Sequence, residues 1–273
     1  MRQRIIIIFI AIILAIGAVV LFLRSRDNSR NDNDIAIDNP AELQKSLSET
    51  KSAEEKQDFL AARDIYKKLI TDFPESTNIV NWQKKLEDFN LKLLFSNRII
   101  PGSISYEVQP GDSLAKIASK NHTTVDLIKK CNNLSEDRIF AGQKLKVWTL
   151  PFNILVDKSQ NILLLKINDD VFKTYRVSTG ANNCSPVGTF KIKNKIVKPV
   201  WYNPQPILPE DPRNILGTRW MGFDTASRYG IHCTTDPVSI GTQATQGCVR
   251  MLNNEVEELF IIIPEGTEVT IID

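Results

Sequence analysis

The stretch Tyr229–Met251, YGIHCTTDPVSIGTQATQGCVRM, contains one of the two histidines and two of the four cysteines of this 273-residue chain. It mixes glycines with apolar residues in a pattern unlike an ordinary strand or helix. Gly247 stands directly before Cys248, and glycine there permits a tight turn that exposes a thiol together with backbone N–H groups. A thiol becomes a nucleophile when a base takes its proton and nearby amides receive the charge on the attacked carbonyl. If the chain is a Cys-His enzyme its base is a histidine, and because the other histidine, His122, belongs to a separate segment, His232 is the only one available within the domain. Two further readings stay open on spacing alone. His232 and Cys248 could be ordinary packing residues. Alternatively His232, Cys233, Cys248 and Cys184 could hold zinc, although they lack the paired spacings of common structural sites.

Outward from this stretch, residues 151–273 read as mostly β. FNILVDK, NILLLKIN, VFKTYRVST and GTFKIKNKI are short strand-like runs separated by Asn, Asp and Gly turns. Lys191, Lys193 and Lys195 alternate with Phe190, Ile192 and Ile196, as a half-buried strand should. Five prolines from Pro199 to Pro212 exclude regular structure there and indicate a shaped loop. Only Asn253–Phe260 reads as a helix.

Residues 104–148 follow the order strand, helix, helix, strand. SYEV alternates, QPGD turns, and Ser113 can cap a helix with Leu114, Ile117 and Ala118 on one face. Thr123 or Thr124 can cap the next helix, with Val125 and Ile128 inward, and KLKVW closes the module. Further upstream, residues 41–98 predict a helical hairpin. Phe59, Ala62, Tyr66, Leu69 and Phe73 recur at steps of three and four, Pro74 breaks the run, and Trp82, Leu86, Phe89 and Leu93 resume it. The hairpin loosely resembles one tetratricopeptide-type repeat, and either serves as a spacer or offers a site for a protein partner.

The N-terminus supplies the expectation of export. Ile5–Leu23 is an uninterrupted apolar run of 19 residues behind Arg2 and Arg4, long enough as a helix to cross a ~30 Å hydrocarbon layer. It ends in Leu-Arg-Ser-Arg with no small-x-small cleavage site, so residues 1–24 are expected to be an uncleaved transmembrane anchor. Residues 25–40 are polar and read as a linker. A net charge of +2 without a dense basic run argues against a nucleic-acid partner.

Two family resemblances sharpen these readings. YEVQPGDSLAKIASKNHTTVDLIKKCNNLSEDRIFAGQKLKVW resembles a LysM module. That resemblance implies binding to N-acetylglucosamine-containing polysaccharide, with Gly111, Asp112, Ser113, Leu114, Asn132, Asn133 and Leu134 as groove candidates. The C-terminal domain resembles a YkuD-type L,D-transpeptidase through VSTG and SPVGTFKI, KPVWYNP, ILGTRWMGF, YGIHC, TQGCVRM and IPEGTEVTI, in family order. It implies a β-sandwich, Cys248 as nucleophile, His232 as general base, the N–H groups of Gly247 and Cys248 as oxyanion donors, and Arg250 as an orienting residue. Tyr229, Trp220 and Gly230 are the candidate substrate contacts. No cofactor and no metal is implied. The sequence departs from the usual His-Gly-Thr and Ser-His-Gly-Cys at Cys233 and at Thr245-Gln246, placing a second thiol beside the base.

The resulting expectation is a multidomain chain: transmembrane helix, helical hairpin, βααβ LysM module and mostly-β catalytic sandwich. Its function is cross-linking of peptidoglycan stem peptides through a cysteine thioester. It would be single-pass in the cell inner membrane, with the catalytic domain in the periplasm or on the outer face. An L,D-carboxypeptidase using the same residues and a non-catalytic wall-binding anchor are the alternatives. Cys233 is also a candidate redox partner of Cys248 if their side chains share a face, since adjacent strand residues point to opposite faces.

Overall fold

The computed structural model describes residues 40–226 and 228–273. The expected anchor and nearly all of the expected linker lie outside the described residues. Among the described residues no helix is long and apolar enough to cross a membrane. The chain divides into two compact units, one ending at Leu93 and one spanning Leu94–Asp273.

Among the described residues the first unit has three helices, α1 (Pro40–Glu55), α2 (Phe59–Asp72) and α3 (Ile79–Leu94), where the sequence predicts a two-helix hairpin. α2 and α3 fall where the apolar spacing puts them. α1 escapes that reading because its buried face is made of Ser46, Thr50 and Ala53, small residues at helical spacing that pattern as polar. The Thr50 hydroxyl donates to the Ser46 carbonyl at 2.7 Å, which makes its burial tolerable. Phe89 stacks on both Phe59 and Tyr66, at 5.8 and 6.0 Å between ring centroids, and ties α3 to α2.

The second unit opens with the βααβ module. β1 (Ser103–Glu107) pairs antiparallel with β2 (Lys144–Trp148), and α4 (Leu114–Lys120) and α5 (Val125–Cys131) lie between them in sequence. Ser113 and Thr124 cap these helices by accepting from the Lys116 and Leu127 amides.

Beyond it runs one continuous eight-stranded sheet. Its strands are β3 (Asn153–Asp157), β4 (Ile162–Ile167), β5 (Asp170–Arg176), β7 (Gly188–Val197), β10 (Arg219–Phe223), β11 (Gly230–His232), β13 (Val249–Arg250) and β14 (Glu268–Ile272). Their order across the sheet is β13-β11-β10-β7-β14-β3-β4-β5. The domain is mostly β as expected, and its sheet curls because β7, ten residues long, belongs to both halves. Gly188–Lys191 pairs with β14, whereas Ile192–Val197 pairs with β10 across a register shift at Gly222/Phe223.

Two short ladders complete the domain. β6 (Thr179–Gly180) pairs with β12 (Gln243–Thr245), and β8 (Trp201–Tyr202) pairs with β9 (Pro206–Ile207) inside the proline-rich loop. Buried Asn214 holds that loop in shape, donating to the carbonyls of Pro199, Ile207 and Leu208 at 2.9 to 3.2 Å. α6 (Asn253–Ile262) buries Val256, Leu259, Phe260 and Ile262.

The two parts of the second unit are in contact. Trp148 of β2 stacks on Phe152 at 5.6 Å, and the Thr124 hydroxyl donates to the Ile261 carbonyl. Lys195 caps the end of α6 by donating to Phe260 and Ile263 carbonyls at 2.6 and 2.8 Å.

Candidate active site

The parallel ladder between β11 and β13 aligns His232 with Arg250 and Ile231 with Val249. Side chains alternate along a strand. His232 and Arg250 therefore share a face, and Cys248, two residues before Arg250, returns to that face beside Gly230. Ile231 and Val249 point the other way and are fully buried. The thiol sulfur lies 4.0 Å from the Arg228 carbonyl.

Trp220 lies opposite His232 in the β10–β11 ladder and stacks on it, with centroids 5.9 Å apart and planes 27° apart. The indole spreads over two facing glycines. A Cβ on Gly222 would come within 2.7 Å of Trp220 Nε1, and one on Gly230 within 2.9 Å of Trp220 Cζ2. Tyr229 covers the turn before the thiol in a similar way: a Cβ on Gly247 would sit 2.4 Å from Tyr229 Cε1, and Gly247 has φ +119°. Glycine at 247 is thus demanded by backbone conformation and by the ring above it.

The electrostatics leave the pair neutral. Burial first, then the Arg250 charge, lowers the His232 pKa to about 4, with backbone carbonyls of Cys233 and Ile215 partly opposing them. Burial pushes the Cys248 thiol above the ordinary cysteine value, opposed by the Gly230 amide and the Arg250 charge and reinforced by Cys184. At neutral pH the imidazole is an unprotonated acceptor and the thiol still holds its proton. His232 Nδ1 and Arg250 Nε are buried without a hydrogen-bond partner among the described residues. Arg250 Nη1 donates to Ser239 Oγ at 3.2 Å, and Ser178 brackets the same residue through both backbone bonds, at 2.8 and 2.9 Å.

One sequence expectation needs correction, and Cys233 proves to be a packed thiol rather than a partner of Cys248. The Gly247 N–H donates to the Thr245 hydroxyl at 3.1 Å, so it is taken up within the turn and does not stand ready as an oxyanion donor. Thr245 closes that turn by donating to the Cys248 carbonyl at 2.7 Å. The Thr-x-Gly-Cys spacing was the only signal for this residue. Cys233 stands on the side of the strand away from Cys248. Its sulfur is bonded to the amide and hydroxyl of Thr218, both at 3.2 Å, and that hydroxyl also donates to Glu257 of α6 at 2.7 Å. Among the described residues no three His, Cys, Asp or Glu side chains come together to hold a metal.

In the βααβ module most of the groove candidates serve the fold. Asp112 accepts from the Tyr106 hydroxyl and the Gln109 amide at 2.9 and 2.8 Å. Asn132 bonds to both the amide and the carbonyl of Lys146 at 2.8 Å. Ser113 is a helix cap, Leu114 is buried and Leu134 packs on the module core. Gly111 and Asn133 are exposed, both at positive φ.

This sheet carries a thiol and an imidazole on one face, the side-chain pair that nucleophilic acyl transfer needs, and a βααβ module docks to its helix. Family models agree: an L,D-transpeptidase catalytic domain matches residues 151–271 and a LysM domain matches residues 106–148. The YkuD protein of Bacillus subtilis is 31% identical over 175 residues, covering 62% of this chain and 98% of that protein. The YkuD protein of Bacillus licheniformis is 33% identical over 176 residues, with the same coverage of each chain. The cell wall-binding protein YocH of Bacillus subtilis is 38% identical over 73 residues, 26% of this chain and 25% of that protein. The chain belongs to the YkuD family of L,D-transpeptidases, and it is an enzyme of that class with a LysM peptidoglycan-binding domain.

Proposed function

We propose that the chain is a membrane-anchored enzyme that cross-links peptidoglycan stem peptides through a thioester on Cys248. The observation carrying this reading is the common face of Cys248, His232 and Arg250 across adjacent parallel strands. His232 takes the thiol proton as the sulfur attacks the carbonyl of the third stem residue, a diamino acid. The Cys248 N–H receives the developing oxyanion, since Gly247 is occupied by Thr245. His232 then returns the proton to the departing D-alanine amine, leaving the acyl group on sulfur. The amine of a second stem attacks the thioester, His232 accepts its proton, and the thiol is regenerated.

Burial first, and the Arg250 charge second, keep the resting imidazole unprotonated. Trp220 and Tyr229 supply flat walls on either side of the glycine-lined floor. Ile5–Leu23 would place the domain outside the cell as a single-pass anchor. The LysM module would hold the chain near glycan strands, raising the local concentration of stems. The helical unit is a spacer in this scheme.

Intact-protein mass spectrometry after incubation with tetrapeptide muropeptides tests the proposal. An adduct on Cys248 followed by a cross-linked dimer supports it. A shortened stem without a dimer would make the enzyme a carboxypeptidase, and no adduct at all would overturn the catalytic reading.

A further inference from the structure

The thiol placed against the active-site turn is Cys184, not Cys233. Cys184 is exposed at the end of the loop that follows β6. The parallel pairing of Gly180 with Thr245 lays that loop beside the turn that ends in Cys248. The Cys184 sulfur lies 3.9 Å from the Thr245 carbonyl, and the Thr245 side chain is bonded to Cys248. It rests over Gly180, where a Cβ would approach it to 2.6 Å, so glycine is what admits the thiol to this position.

The loop is pinned on both sides of the cysteine. Buried Lys158 donates to the Asn183 and Ser185 carbonyls at 3.3 and 3.0 Å, and Ser185 Oγ accepts from the Gly180 amide at 2.8 Å. The Cys184 side chain itself reaches solvent. A charge on Cys184 raises the Cys248 pKa, as expected of two sulfurs within electrostatic reach. The other two thiols are buried, Cys131 against the Leu94 carbonyl and Cys233 against Thr218.

We propose that Cys184 is a resolving thiol that closes a disulfide with Cys248 after a peroxide oxidises the Cys248 sulfur. In the first step hydrogen peroxide transfers one oxygen to the Cys248 thiol, giving a sulfenic acid and water. In the second the Cys184 sulfur attacks the sulfenic sulfur, the S–O bond breaks, and the hydroxyl leaves as water with the Cys184 proton. The disulfide occupies the nucleophile, stops further oxidation, and is reopened by a thiol reductant. Its role as an on-off control rests on Cys248 being the nucleophile proposed above.

The test treats the full chain and Cys184→Ser with hydrogen peroxide, alkylates free thiols, and maps peptides by mass spectrometry before and after reduction. In the wild type the expected product is a Cys184–Cys248 linked peptide, about 2 Da lighter than the two thiol peptides together and reversed by reductant. In Cys184→Ser, Cys248 should instead gain about 32 Da as sulfinic acid, which reductant leaves unchanged. Equal sulfinic acid in both proteins, or a link to Cys233, would overturn the proposal. The wild-type map suffices if the variant fails to fold. No stem peptide enters this readout: a disulfide in a chain without acyl transfer would refute the catalytic reading alone, and acyl transfer without a disulfide would refute this inference alone.

Discussion

The Thr245 hydroxyl donates to the Cys248 carbonyl at 2.7 Å while accepting from the Gly247 amide at 3.1 Å. One side chain thus sets the turn that aims the thiol. Thr245→Val keeps the shape and removes both bonds. It should slow acyl transfer by roughly thirtyfold, the rate equivalent of losing two hydrogen bonds of about 1 kcal/mol each. Thr245→Ser should retain the rate, and loss of activity in the serine variant would show that the methyl group, not the hydroxyl, matters.

Cys248→Ser and His232→Ala should each abolish thioester formation, and the double variant should be little worse, because nucleophile and base act as a unit. Intact mass of the acyl-enzyme measures this directly. Substantial turnover by Cys248→Ser would move the nucleophile elsewhere.

His232 is a base whose folded pKa, about 4, lies below its ordinary value of 6.5. Between those values the unfolded chain binds the proton and the folded chain does not. Stability from this group is therefore complete above the unfolded pKa and lost as pH falls toward about 4, on the order of 3 kcal/mol in all. Urea unfolding of wild type and His232→Gln at pH 7 and 4.5 isolates it. The wild type should lose more stability on acidification than the variant, and parallel losses would contradict the assignment.

Gly247→Ala meets the Tyr229 ring at 2.4 Å and must hold φ near +119°. Strain of this kind costs about 1–3 kcal/mol. The variant should melt at lower temperature and lose acyl transfer. Relief by Tyr229→Ala would be partial, because the backbone strain stays.

In the LysM module, Asp112→Ala removes the acceptor shared by Tyr106 and Gln109. It should lower the melting temperature together with wall binding. Asn133→Gly, at an exposed left-handed position, should leave melting unchanged and weaken sedimentation with purified peptidoglycan. An unchanged bound fraction would remove Asn133 from the glycan surface.

The linear order of elements was legible where periodicity and caps are local properties. α2, α3, both LysM helices and most of the long strands follow from spacing and from Ser113 and Thr124. α1 was hidden because serine, threonine and alanine can be buried on a helix without looking apolar. The sequence by itself also determined the chemical inventory: a glycine before a thiol, the domain's lone histidine upstream of it, and the family motifs around both. Which thiol accompanies Cys248 was decided only by the tertiary structure. Sequence adjacency pointed to Cys233, but strand alternation turned it toward Thr218, while the Gly180–Thr245 pairing brought distant Cys184 to the turn. Sequence spacing records neighbours along the chain. Strand pairing creates neighbours across it, and the face on which each side chain emerges depends on a register that no single strand contains.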